Sequence, residues 1–154
     1  MWRAVWASLK KWFVGWLNGG PHFVVGGLDR PYMRRWHILP RNPFFNVYLH
    51  CFHRDDDDRA RHDHPWVNMS ILLSGRYREV TATGRKEYRA GHVICRRADY
   101  AHRVELINGQ RCWTLFVTGP KVRNWGFHCP LGWIPWQDFV DQHDSGNIGK
   151  GCPE

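Results

Sequence analysis

The sequence predicts an all-β domain, an antiparallel sandwich or barrel preceded by an amphipathic helix, and three observations carry that reading. From Phe44 onward the chain divides into seven or so short strand-like runs at even spacing, punctuated by turn residues such as Ser74-Gly75, Thr83-Gly84, Asn108-Gly109 and Gly119-Pro120. Before that region, Trp2, Val5, Trp6, Leu9, Phe13, Trp16 and Leu17 recur at helical spacing, and Asn18-Gly19-Gly20-Pro21 supplies a stop. The chain has 154 residues, 43% of them hydrophobic, which is enough for one domain to bury a sizeable core without covalent staples.

In chain order, the first 20 residues form the amphipathic helix, ending near Leu17. Its Trp-rich face has three uses open to it: docking on the barrel, pairing with a second subunit, or lying on a membrane surface, with packing roles the usual outcome. Gly26, Gly27 and the Pro-bounded stretch from Pro31 to Pro43 read as loop and short strand pieces. Strands are expected over residues 45–53, 70–73, 77–81, 85–88, 92–96, 102–107 and 112–118. Aromatic punctuation follows at Trp125-Gly126-Phe127, Gly132-Trp133 and Pro135-Trp136, and a polar, loosely ordered tail begins after residue 140. The expected organisation is therefore a helix over residues 1–20, a β domain over 21–140 and a tail over 141–154.

The net charge of +8 rests on an Arg-rich middle that includes Arg61, Arg76, Arg97 and Arg103. Such a balance favours anionic partners, although no basic block is contiguous, so a solvated basic surface accounts for most of it and nucleic acid is not the expected partner. Five cysteines with no C-x-x-C pair argue against a disulfide framework and for ordinary thiols in a reducing, cytoplasmic setting. The apolar stretches of the first segment are too short for a membrane span or a secretory leader.

The chemistry concentrates in His62-Asp63-His64 and in a single His102 that follows Gly91-His92. Extended backbone puts residues i and i+2 on one face. Both imidazoles of an H-x-H segment then point at one place, where a third from a neighbouring strand completes a facial site with open positions. Imidazole suits zinc, iron, copper and nickel. Asp63 points away from that site. His50 and Cys51, on the preceding strand, take opposite faces, with Cys51 sharing its face with His53; packing is the expected role of all three, a pocket contact by His50 or His53 the alternative. His22, His92, His128 and His143 receive no role.

The spacing His62-x-His64-x3-Asn68-x6-Gly75, then Gly91-x5-Arg97-x-Asp99-x2-His102, resembles the two motifs of the cupin superfamily, G-x5-H-x-H-x3,4-E-x6-G and G-x5-P-x-G-x2-H. Asn68 stands where that family has a metal-binding Glu, Arg97 replaces its Pro, and Asp99 its Gly. The phrases HDHPW, TLF-x-TG, WGF and GW-x-x-W, within residues 44–139, further resemble small single-domain cupins of phage and bacterial genomes, a likeness that brings no settled activity. The resemblance implies a cupin-type double-stranded β-helix, or jelly roll, that dimerises and binds a metal through His62, His64 and His102. Without the Glu ligand the site resembles the thiol dioxygenase variety of cupin, with room for an anionic substrate to chelate the ion.

That reading makes the cofactor a divalent transition metal, Fe(II) favoured, with Zn, Ni or Mn as alternatives. Asn68, Trp66, Tyr77 and Arg103 are candidates for a fourth ligand or for substrate contacts. Tyr100 is the candidate proton donor, and Arg97 the first candidate, beside Arg61, Arg76 and Arg103, to clamp a carboxylate or phosphate. The function expected is a metal-dependent, dioxygenase-like enzyme on a small anionic molecule. An isomerase or hydrolytic use of the metal, a non-catalytic ligand-binding module, and least of all a nucleic-acid-binding protein, are the alternatives. No nucleophile elbow, phosphate-cradling glycine loop or dinucleotide fingerprint is present.

Overall fold

The computed structural model describes residues 12–16, 18–56 and 60–153. Residues 12–16 form α1, the described end of the expected N-terminal helix; the rest of that helix lies outside the described residues. Twelve strands follow. β1 (Phe23–Val25), β2 (Met33–His37), β3 (Asn46–Phe52), β5 (Asn68–Ser74), β8 (Val93–Arg96) and β10 (Cys112–Thr118) build a six-stranded antiparallel sheet in the order β1-β2-β3-β10-β5-β8. β6 (Arg76–Val80), β7 (Arg85–Arg89) and β9 (Arg103–Leu106) form one three-stranded sheet, and β4 (Arg61–His62), β11 (Gly126–Cys129) and β12 (Gly132–Pro135) form another. Reciprocal backbone bonds between His62 and His102, 2.9 and 3.0 Å, join these two small sheets into the second layer of a jelly roll. A short α2 (Trp136–Phe139) closes the end near β11.

The strands follow from period-two patterning. In β10, Cys112, Thr114, Phe116 and Thr118 are buried while Trp113, Leu115 and Val117 are half-buried; in β5, Asn68, Ser70 and Leu72 take the inner positions. Gly75 makes the turn into β6 with a φ of 78°, and a Cβ there would stand 2.4 Å from the Arg111 carbonyl oxygen, so only glycine fits without displacing backbone. One end of the roll is filled by Met33, Phe52, Leu72, Tyr77, Ile94, Val104 and Leu106. A second cluster gathers Ala60, Phe127 and Phe139 with Trp125, Ile134 and Trp136. The interior between them is more polar, and it holds the site.

Two expectations require correction. The cysteines are not all ordinary thiols, because Cys129 of β11 and Cys152 form a disulfide across Cα atoms 5.5 Å apart, and the argument from unpaired cysteines for a reducing compartment loses its support. Sequence separation conceals this pair, since only the return of the C-terminal segment to β11 brings the two sulfurs together. That segment is also not loose: Asp141 accepts backbone bonds from His143 and Asp144, and the Gly149 and Gly151 amides donate to the Phe139 carbonyl. Among the described residues no helix is long and apolar enough to cross a membrane.

Candidate metal centre

The segment 62–64 lies antiparallel to residues 98–102, held by the His62–His102 bridge and by a bond from the His64 amide to the Ala98 carbonyl, 3.0 Å. Extended geometry then does what the alternation predicts. His62 and His64 turn one way and Asp63 the other, while His102 enters from the adjoining chain segment. The three rings form a nearly equilateral set, with centroid separations of 5.2 Å for His62 and His64, 5.1 Å for His62 and His102, and 5.1 Å for His64 and His102. One nitrogen of each lies within 4.8 Å of the others.

One of the rings is held from behind by a carboxylate, and a second has a carboxylate nearby without a hydrogen bond to it. His102 places Nδ1 against Glu79 Oε1, which fixes the tautomer with Nδ1 protonated and leaves the Nε2 lone pair directed at the cluster. His62 Nδ1 stands 3.4 Å from Asp56 Oδ2. Burial, reinforced by the neighbouring imidazoles and by Arg96, holds His64 well below the ordinary His range. Burial likewise brings His102 down to about 4 against the opposing pull of Glu79. Neutral imidazoles are the form that ligates a metal. The His64 and His102 Nε2 atoms are 3.0 Å apart. Two nitrogens bound at about 2.1 Å and at right angles on one ion stand roughly 3.0 Å from each other, so the donor set fits a divalent transition metal on one face.

Beneath the histidines lies a buried charged network. Glu79 on β6 is almost wholly inaccessible. It accepts from Arg96 Nε at 2.8 Å and from the Tyr100 phenol at 3.3 Å, while Arg96 also donates to Ser70 Oγ at 2.9 Å and to the Tyr77 phenol at 3.0 Å. Burial works against the Glu79 charge, yet the hydrogen bond from His102 and the Arg96 guanidinium outweigh it and keep Glu79 below the ordinary Glu value. The carboxylate therefore acts as a fixed negative partner for His102. Asp63 is satisfied elsewhere: it accepts from the Gly126 amide at 2.8 Å and Trp133 Nε1 at 3.0 Å, with Arg123 at 2.8 Å and His128 at 3.2 Å, welding β4 to β11 and β12.

The histidines open into a cavity of about 1070 Å³. Trp66 stacks on His64 at 5.9 Å and Phe116 stands 5.9 Å from the same ring, so the walls beside the centre are aromatic.

Of the other residues singled out from sequence, Trp66 and Tyr77 line this cavity, Tyr77 with its phenol held by Arg96 and pushed up to about 12 by burial. Tyr100 reaches the centre through Glu79, its ring 5.8 Å from His102. Arg97 is not brought to the cavity: its side chain is 84% exposed and paired with Asp99 at 3.1 Å. It sits one position beyond the inward-facing Arg96, and alternation sends it to solvent. Arg103 is bound to Glu105 on the outer face of β9 and Arg76 is exposed at the start of β6; neither these two nor Arg61 forms part of the cavity wall. Asn68 is buried outside that wall, and its Oδ1 meets no donor among the described residues.

Asp56 belongs to the acidic run 55–58, whose place just before the H-x-H strand allows it to reach the mouth of the barrel, and it lines the cavity. Glu79 and Arg96 were missed by the sequence reading, although a signal existed for both. Glu79 shares the inward parity of Tyr77, and Arg96 that of Ile94, so opposite charges occupy core positions on two strands and must meet. His50, read as a packing residue, lines the cavity.

No family model matches the chain, and no curated protein matches it in sequence. Similarity to solved structures is extensive, with 262 matching chains. A conserved protein with a double-stranded β-helix domain from Klebsiella pneumoniae superposes with a TM-score of 0.53 at 15% identity, over 68% of this chain and 90% of that one. A sugar phosphate isomerase from a cupin superfamily, from Silicibacter pomeroyi, gives 0.51 at 13% identity over 67% and 74%. A cupin superfamily protein from Desulfitobacterium hafniense gives 0.50 at 12% identity over 58% and 78%. At such identities the likeness establishes the fold, and it is the double-stranded β-helix that the resemblance to the cupin motifs implied.

Proposed function

We propose that this chain, whose fold is that of the cupins, is a metal-dependent enzyme that holds one divalent transition ion, Fe(II) by preference, on His62, His64 and His102 and acts on a small anionic molecule. The observation that carries the reading is the convergence of three imidazoles, one of them fixed from behind by a buried carboxylate that is itself held by Arg96. Bound there, the ion would supply open coordination positions, Lewis acidity and, as Fe(II), one-electron chemistry with oxygen. The chain's own contribution is threefold. Glu79 orients His102, Trp66 and Phe116 exclude water from one side of the centre, and three neutral ligands leave the ion's positive charge to attract an anion.

A dioxygenase-like reaction is favoured over an isomerisation by the composition of the wall and of the ligand set. Proton abstraction beside a carbonyl needs a positioned base. Asp56 is the sole carboxylate among the described residues that line the cavity, and it lies beside His62 rather than across the cavity from it, so the preference rests chiefly on three neutral ligands that leave coordination positions for both an anion and oxygen. The isomerase from Silicibacter pomeroyi keeps the Lewis-acid reading as the second choice, with a non-catalytic ligand-binding module third. We extend the proposal to a homodimer. The test is anaerobic loading with Fe(II), followed by oxygen uptake with a panel of small thiols, carboxylates and diketones. Uptake that requires substrate and disappears in His64→Ala supports the dioxygenase reading. A chain that holds zinc and consumes no oxygen with any of them overturns it in favour of the other two.

A further inference from the structure

Buried Arg96 and half-buried Arg35 have opposite fates. Arg96 is matched by Glu79, Ser70 and Tyr77. Arg35, on β2, has no such match. It pairs in register with His50 on β3, and its Nε donates to His50 Nε2 at 2.9 Å. Its guanidinium lies over the Tyr48 ring, 4.8 Å from the centroid, and 5.9 Å from that of Phe23. One edge and one face of the fork are thus fixed, whereas among the described residues the Nη1 and Nη2 edge has no hydrogen bond and no carboxylate forms an ion pair with it. Burial lowers Arg35 to about 10, and the other groups acting on it are Tyr48, Arg41 and Tyr32, none of them a carboxylate. The guanidinium therefore stays charged at neutral pH, without a carboxylate counter-ion among the described residues. His50, held neutral chiefly by burial and further by Arg35 and His37, accepts from it and adds no charge.

Arg35, Tyr48 and His50 line the same cavity as the three histidines. A single ring, Phe116, separates the two regions, with its centroid 5.1 Å from that of His50 and 5.9 Å from that of His64. We infer that Arg35 is the anion anchor of the cavity: it takes a carboxylate or phosphate at one end of an elongated small molecule, whose aromatic or apolar middle lies against Tyr48, Phe116 and Trp66 and whose other end reaches the metal centre. The inference rests on the proposed metal centre only for the role of that far end. The anion site itself stands without a metal. A guanidinium edge with two parallel N–H donors recognises a planar oxyanion bidentately, which a lysine does not do. The aromatic face beneath it orients the fork toward the cavity.

The test uses benzoate, phenyl phosphate and neutral benzamide as probes, titrated calorimetrically into the metal-free wild-type chain, His64→Ala and Arg35→Gln. The two anions are expected to bind wild type and His64→Ala alike, in preference to benzamide, and to bind Arg35→Gln roughly ten- to a hundredfold more weakly, the loss of one charge-assisted contact. The tighter anion identifies the group that the anchor takes. Equal anion affinity in wild type and Arg35→Gln, or no preference over benzamide, overturns the inference. Should Arg35→Gln not fold, phenylglyoxal modification of the wild-type chain decides: the tighter anion should slow labelling of Arg35 seen by mass spectrometry, and unchanged labelling counts against the site. A chain that binds the anions through Arg35 and takes up no metal would refute the metal centre and leave this inference standing.

Discussion

Glu79→Gln distinguishes a metal centre braced by a buried carboxylate from three histidines that are merely packed together. Glutamine keeps the size of the side chain and one acceptor oxygen, so His102 and Arg96 retain a partner, and the amide nitrogen can face the Tyr100 phenol that Oε2 now meets. What disappears is the negative charge, leaving the Arg96 guanidinium, 2.7 Å from Glu79 and nearly inaccessible, without compensation. Removing one partner of a buried pair costs about 3 kcal/mol, the lower end of the usual range because the neutral hydrogen bonds survive. For a domain of this size that corresponds to a fall in Tm of roughly 6–12 °C. Loss of the carboxylate behind a ligating imidazole should also weaken metal binding by about ten- to a hundredfold. Scanning calorimetry with and without metal, together with competition against a chromophoric chelator, reads both quantities. A variant with wild-type Tm and wild-type metal affinity would refute the coupling of this network to the centre; a lower Tm with unchanged affinity would confine Glu79 to stability.

Asp63→Asn should lower stability by roughly 2–3 kcal/mol, because Arg123 and the ring donors lose a fully buried charge, yet leave metal stoichiometry unchanged; loss of metal would show that Asp63 is not directed away from the centre. Cys129→Ser opens a 23-residue link to Cys152 and should cost about 3 kcal/mol in oxidising buffer, with the difference vanishing under reductant; a difference that persists there would assign the effect to packing. The metal-free chain should lose stability as pH falls. His50, His64 and His102 are kept neutral chiefly by burial, so below the unfolded value of about 6.5 the unfolded chain binds protons that the folded chain refuses, down to about pH 4 for His102. Denaturant midpoints measured between pH 7 and pH 5 should therefore decline on acidification, and a flat profile would contradict neutral burial.

The strands and the shared face of His62 and His64 were legible from local periodicity, while the double-stranded β-helix and the place of His102 came from the resemblance to the cupin motifs. Strands β3, β5 to β10 and the H-x-H segment declare themselves through alternation and turn residues, and His102 through the resemblance of Gly91-x5-Arg97-x-Asp99-x2-His102 to the second cupin motif. What could not be read for β4 was its pairing, since its partners, β11 and His102, are remote in sequence. The surroundings of the centre were harder for the same reason. Arg97 is one of several arginines offered as an anion clamp, but strand parity gives the interior to its neighbour Arg96, and Arg35, which lines the cavity, sits in a stretch read as loop and short strand pieces. The Cys129–Cys152 bridge depends on the last residues folding back over β11, which composition does not reveal.

The most direct test of the central claim is the metal content of the chain purified without added metal or a chelating resin, measured for wild type and for His62→Ala, His64→Ala and His102→Ala. One transition ion per wild-type chain, lost in all three variants while the fold persists, is the expected result. A wild-type chain that takes up no ion, or variants that keep it, would contradict a shared three-histidine centre.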